Sequence, residues 1–243
     1  MTFRPMLWPS VLTALGLAIL CSLGVWQLQR AEWKGDLLHR VGQAVEAAPV
    51  PLAQALRTPD PAYAHVRLEG RFLHGQERYV FTSRDRVPGV LVFTPFVPEG
   101  AAEGTPPILV NRGFVPEPLR DPEARKEGQV PAPVTVTGIL RPGGAGGGLF
   151  TPDPQAAVRT AYAVDLEVLA ALGATPVRTD WFVEADESPV PGGWPRGRDP
   201  ATIVASIPNN HLSYAATWFG LALVLAGVYV AWHMREGRLG RAA

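Results

Sequence analysis

His211, Tyr214 and Trp218 carry the residue types in this chain best placed to do chemistry together. Tyr214 follows the histidine by three residues and Trp218 by seven, so on a helix the imidazole, phenol and indole share one stripe. A neutral imidazole is the commonest metal ligand and also titrates near neutral pH. The alternative is an aromatic belt at a membrane surface with one histidine facing water. The stripe alone leaves both readings open.

Other chemistries lack their residues. His39, His65, His74, His211 and His233 show no metal-ligand spacing, and His65 and His74 read as solvated side chains. Neither Gly-x-Ser-x-Gly nor His-Glu-x-x-His occurs. The acid groups Asp121/Glu123 and Glu184/Asp186/Glu187 lie in Pro-rich or turn-like surroundings, which gives no buried acid–base pair. An enzyme is therefore not expected. The only cysteine, Cys21, rules out an intrachain disulfide and reads as a small apolar residue. Leu20 before it is too large for lipoprotein processing. Met1, Met6 and Met234 all lie near the ends, so the central region has no soft ligand for copper. A net charge of zero gives no footprint for nucleic acid.

The elements that must position the stripe begin with two apolar segments. About twenty residues from Leu212 to Trp232 carry no charged side chain, enough to span roughly 30 Å as a helix. Pro208 ends the preceding run, and Asn209 or Asn210 can cap the helix, which puts His211 in its first turn. Leu7 to Leu28 is a second such segment. It is too long for a typical cleaved leader, and no Ala-x-Ala-like site follows it, so it reads as a retained span. Trp26, Arg30, Trp33 and Lys34 come next at helical spacing, as aromatics and snorkelling cations do at headgroup depth. Trp33, Leu37, Leu38, Val41 and Val45 keep the period, so the helix is expected to continue to about Ala47, before Pro49 and Pro51. A short helix is expected over Leu52 to Leu56.

The period then changes to two. Strands are expected at His65–Phe72, Glu77–Thr82, Val90–Phe96, Ile108–Val115, Val134–Leu140, Arg178–Glu184 and Ala201–Ile207. Gly70 is expected to mark a bulge that switches the inward face of the first of these. Asp165 to Leu172 is the one helical pattern inside this region, with Gly173 as its stop. Gly143, Gly144, Gly146, Gly147 and Gly148 precede no Lys-Ser/Thr, so residues 142–154 read as a flexible loop rather than a phosphate cradle.

The fold class expected is a membrane protein of α+β type: two terminal transmembrane helices flank a mainly antiparallel β extracytoplasmic domain with one interior helix. The boundaries are a cytoplasmic tail 1–6, a span 7–28, a β-rich domain 29–210, a second span 211–232 and a basic cytoplasmic tail 233–243. Arg235, Arg238 and Arg241 against Glu236 set this orientation by the positive-inside rule.

Several stretches together resemble the Surfeit locus protein family of cytochrome c oxidase assembly factors. They are Leu23-Gly-Val-Trp-Gln-Leu-Gln-Arg-Ala-Glu-Trp-Lys34, Val66-Arg-Leu-Glu-Gly-Arg-Phe72, Val92-Phe-Thr-Pro-Phe96 and Ile108-Leu-Val-Asn-Arg-Gly-Phe-Val-Pro116. Val190-Pro-Gly-Gly193 and Pro208-Asn-Asn-His-Leu-Ser-Tyr-Ala-Ala-Thr-Trp-Phe219 complete the set. Any one is modest; their order between two terminal spans is specific. The chain departs from the family in the Gly-rich loop at 143–148, and at Arg159-Thr-Ala-Tyr162, where the family has an aromatic near position 160.

The resemblance implies an assembly factor in the bacterial inner membrane that serves the largest subunit of a heme-copper oxidase and works beside a heme a synthase. It implies heme a as transient cargo, with His211 as the ligand to the heme iron. Tyr214 and Trp218 could flank the ring, with Trp26 and Arg30 at the same depth and Arg30 able to pair with a propionate. A scaffold that holds the oxidase subunit without touching heme is the alternative, and an envelope enzyme acting on heme a more distant one. In Asn111-Arg-Gly-Phe114, Arg112 and Asn111 are the candidate partner contacts. The preferred structural reading is a strand end where Gly113 allows close approach and Phe114 packs inward.

Overall fold

A computed structural model describes residues 2–3, 5–144, 146–200, 202 and 209–240. The chain divides into two compact units, Met1–Arg40 with Ile207–Ala243, and Val41–Ser206.

The first unit is a helix pair. Helix α1 is Leu7–Glu46 and helix α4 is His211–Arg235. Both are long and apolar enough to cross a membrane. A short antiparallel pair, β1 (Thr2–Phe3) with β10 (Leu239–Gly240), joins the segment before α1 to the segment after α4. The helices run antiparallel: Ser10 meets Tyr229 (O–O 2.6 Å), Gly16 lies against Leu225, Gly24 against Phe219, and Gln27 against His211. A Cβ on Gly24 would stand 2.6 Å from the Phe219 ring, so the bare glycine sets how closely the helices approach. Ala215 and Ala222 are buried on the matching face of α4. Leu12, Leu15 and Ile19 of α1, and Leu223, Val224 and Val228 of α4, are exposed. Small residues inward and branched apolar residues outward is the pattern that lipid selects, because lipid tails solvate leucine and only close packing holds helices together. Asn210 occupies the N-cap of α4, but its side chain makes no capping bond, unlike the expectation.

The second unit is a barrel. Its strands are β2 (Val50–Pro51), β3 (His65–Phe72), β4 (Arg78–Arg84), β5 (Val87–Pro98) and β6 (Ile108–Pro116). They continue with β7 (Val134–Pro142), β8 (Thr160–Ala161) and β9 (Trp181–Ala185). The order is β2-β3-β7-β9-β6-β5-β4-β8, and β3 also pairs with β5. That extra pairing closes β3, β7, β9, β6 and β5 into a ring. Most pairs are antiparallel; β2–β3, β4–β8 and β6–β9 are parallel. Closure removes the open edges of these five strands, and the order ends on the two-residue strands β2 and β8.

Gly70 stands where the ring closes, opposite Pro98 of β5 and Val134 of β7. A Cβ there would lie 2.1 Å from the Val97 carbonyl oxygen. This corrects the expected bulge: Val66, Leu68 and Gly70 are buried on one unbroken alternation, and the ladder irregularity lies between Leu91 and Phe93 instead. The barrel core holds Val66, Leu68, Phe96, Ile108, Val110, Val136, Leu140 and Val183, with Leu52 and Ala55 from the short helix α2 (Leu52–Ala55). A second cluster packs Leu166 and Leu169 of α3 (Leu166–Ala171), with the Leu172 that caps it, onto Val80, Phe93, Leu109 and Phe182. Asp165 caps α3, its side chain accepting from the Glu167 and Val168 amides, which fixes where the helix starts. Strand β6 is buried on both faces because one side fills the barrel and the other meets α3, hence the apolar Ile108-Leu-Val110 at its start. The strand expected at 201–207 lies outside the described residues, apart from Thr202.

Candidate functional site

In the helix-pair unit, His211 sits in the first turn of α4 and is half-buried. Its Nδ1 lies 2.8 Å from Oε1 of Gln27 on α1. Its Nε2 has no hydrogen-bond partner among the described residues. On α4, Ala215 and Ala222 continue the buried side from His211, so the histidine belongs to the face turned toward α1. Tyr214 is 55 % exposed and Trp218 is half-buried, so these rings flank that face rather than fill it. On α1, Trp26 is 53 % exposed, one residue before the glutamine that holds His211. Arg30 lies over the Trp33 ring at 4.0 Å, a cation–π contact that leaves its guanidinium exposed. The arrangement places a ring nitrogen with no hydrogen-bond partner among the described residues, exposed aromatic surface and a cation within one unit.

The opposite end of the pair carries a second polar cluster. His233 is fully buried, with Nδ1 3.0 Å from the Tyr229 carbonyl and its ring 4.1 Å from that of Tyr229. The Met6 amide donates to its Nε2 at 3.5 Å. Both of its ring nitrogens are engaged, so it ties the helices together and offers no ligand position.

Arg112 and Asn111 lie in the barrel unit on β6, and both are buried. Arg112 is 8 % exposed: it covers the Phe72 ring at 4.7 Å, donates to the Gly128 carbonyl at 2.5 Å and reaches Glu77 at 3.4 Å. Glu77 is 1 % exposed and also receives two donors from Arg125 and the Tyr79 hydroxyl. One carboxylate thus holds two guanidinium groups inside the domain. Burial, with the Glu77 charge beside it, pushes the Tyr79 hydroxyl up to about 12. Burial lowers Arg112 to about 10 against the opposing pull of Glu77, so Arg112 stays charged at neutral pH. Burial also lowers His74, whose Nε2 meets the Val130 carbonyl at 3.0 Å. Asn111 accepts from the Gly113 amide at 3.1 Å. Gly113 has φ +110°, and a Cβ there would lie 1.9 Å from the Arg196 carbonyl oxygen. That close approach lets Phe114 pair with Arg196 and set its ring against Trp194.

His65 and His74, read from the sequence as solvated, are both hydrogen-bonded. His65 joins Asp186 at 2.8 Å and the Ala47 carbonyl at 2.9 Å. Two residues escaped the sequence reading. Gln27 had a signal, an amide inside an apolar span, which needs a partner there. Glu77 had none, because a carboxylate at a strand start reads as solvated.

The profile of the SURF1 family matches residues 14–223. This chain belongs to the SURF1 family. The Surfeit locus protein 1 of Gallus gallus is 32% identical over 224 residues, covering 82% of this chain and 67% of the relative. That of Mus musculus is 35% identical over 223 residues with the same coverage. The SURF1-like protein of Monosiga brevicollis is 34% identical over 232 residues, covering 88% of this chain and 84% of its own length. The SURF1 match takes in both Gln27 and His211, and also the whole barrel.

Proposed function

We propose that this SURF1 protein binds heme a at the His211 end of its helix pair and passes it to the largest subunit of cytochrome c oxidase. Family membership supports a role in oxidase assembly and the two apolar helices support a membrane location. The observation that carries the finer reading is His211 itself, half-buried with Nδ1 held and Nε2 without a hydrogen-bond partner among the described residues. The chain's own part is to bind and orient. His211 offers a nitrogen lone pair to the iron, which the heme supplies as cargo. Trp26, Tyr214 and Trp218 offer apolar faces to the ring, and Arg30 a cation to a carboxylate. A single protein ligand suits a carrier, since cargo held by one bond can be released. No step here makes or breaks a covalent bond of the protein, so the role is that of a chaperone rather than an enzyme. A heme a synthase is the natural donor partner, since it makes the cargo in the same membrane.

The full chain purified from a host that makes heme a is expected to carry a Soret band. Protein that is colourless while still supporting oxidase assembly would favour a scaffold that never touches heme.

We further propose that both chain termini face the cytoplasm of a bacterial inner membrane, with the barrel outside. Arg235 and Arg238 at the exit of α4, followed by Arg241, support this. A reporter fused after Gly143 is expected to be active only as an exported enzyme. Activity there of a strictly cytoplasmic reporter would reverse the topology.

A further inference from the structure

We propose that Gln27 is a positioning residue that selects the tautomer of His211. A neutral imidazole carries one proton, on either Nδ1 or Nε2. The Gln27 Oε1 atom, 2.8 Å from Nδ1, can only accept, so Nδ1 bears the proton and Nε2 keeps the lone pair. The other tautomer would set the Nδ1 lone pair against the amide oxygen and leave Nε2 protonated, unable to ligate a metal. In water imidazole side chains prefer that other tautomer, so the protein must impose this one.

The fold explains how Gln27 gets there. Gly24, Gln27 and Ala31 fall at i, i+3 and i+7 on α1, one stripe. Gly24 and Ala31 are buried and Gln27 half-buried. The Phe219 ring seats on the bare Gly24, and this close approach brings the α4 terminus within reach of the amide. Inside an apolar span the amide oxygen has few competing donors, so the bond to His211 is strongly selected. A carbonyl accepting from Nδ1–H also makes Nε2 a stronger base and fixes the ring plane, as the outer partners of metal-bound histidines do.

The inference rests on His211 as the heme ligand, but its first test needs no heme. The full chain, labelled with ¹⁵N-histidine and held cargo-free in lipid nanodiscs, reports the tautomer by NMR. His233, whose Nδ1 also faces a carbonyl, gives a second signal; the signal lost in His211→Asn is that of His211. The expected wild-type state is Nδ1–H with bare Nε2. Gln27→Met, of similar length but without an acceptor, is expected to move His211 to Nε2–H, and Gln27→Glu to keep Nδ1–H. A wild-type His211 protonated at Nε2, or one whose tautomer is the same in Gln27→Met, overturns the proposal. If Gln27→Met does not insert, the wild-type and Gln27→Glu spectra still decide it. In heme-loaded protein, Gln27→Met is expected to weaken retention about 10- to 100-fold. Colourless wild-type protein with the expected tautomer would defeat the heme reading and leave the Gln27 assignment standing.

Discussion

His211→Ala is expected to reach the membrane in wild-type amount and to come out without a Soret band. The structural cost of the change is small. It removes one hydrogen bond, to Gln27, worth about 1 kcal/mol. The rest of the helix interface remains: Gly24 against Phe219, Gly16 against Leu225, Ser10 with Tyr229 and the Met6–His233 contact. On the proposed reading the functional cost is total, because His233, the histidine at the other end of α4, has both ring nitrogens engaged. Abundance and spectrum are thus separable readouts. A variant with the wild-type band and stoichiometry would remove His211 as ligand and leave it as an interhelical contact.

Glu77→Gln is expected to unfold the barrel or bring it close to unfolding. Glu77 is the carboxylate that both Arg112 and Arg125 reach, and all three are buried. The charges lose hydration on folding and recover it only through one another. Removing one partner from such a group typically costs about 3–5 kcal/mol, because the remaining charge is left uncompensated. Here two guanidinium groups would be stranded, against a whole-domain stability of roughly 5–15 kcal/mol. The measurement is denaturant unfolding of the full chain in detergent, followed by the barrel's near-ultraviolet signal. The control is Lys126→Met, which breaks an exposed pair with Glu123 and is expected to shift nothing. An unchanged midpoint for Glu77→Gln would mean that the arginines are not held by charge.

Much of this architecture is legible residue by residue. Helix α1 and α4 show in their uncharged stretches, and β3 and β7 in their alternation; their starts and that of β6 match the structure. Asp165 and Gly173 bracket α3 because capping is local chemistry. Non-local pairings are what escape. Nothing in the residues of β9 says that it inserts between β6 and β7, since so short a strand fits any neighbour. Gly70 was visible as a break in side-chain pattern, but a missing Cβ signals equally a bulge or a near backbone, and only the closed ring distinguishes them. At the helix end, His211 stood out by type, whereas the closeness of Gln27 depended on the register of two helices separated by the whole barrel sequence. Arg112 stood out as a candidate partner contact; its counter-ion Glu77 lies just before β4 and could not be read from β6.

The place of β9 has a consequence for the order of events during synthesis. Strands β6 and β7 each keep one side of their ladder for β9, the last stave of the ring to be made. Until residue 185 has emerged, the ring cannot close, and both strands wait with bare backbone amides and carbonyls. Everything from β3 to β9 therefore has to be made before the barrel exists, and the nascent chain stays sticky until then. A membrane helix on either side keeps this vulnerable stretch tethered at both ends, so once α4 has inserted, the segment that must find its slot can only search nearby.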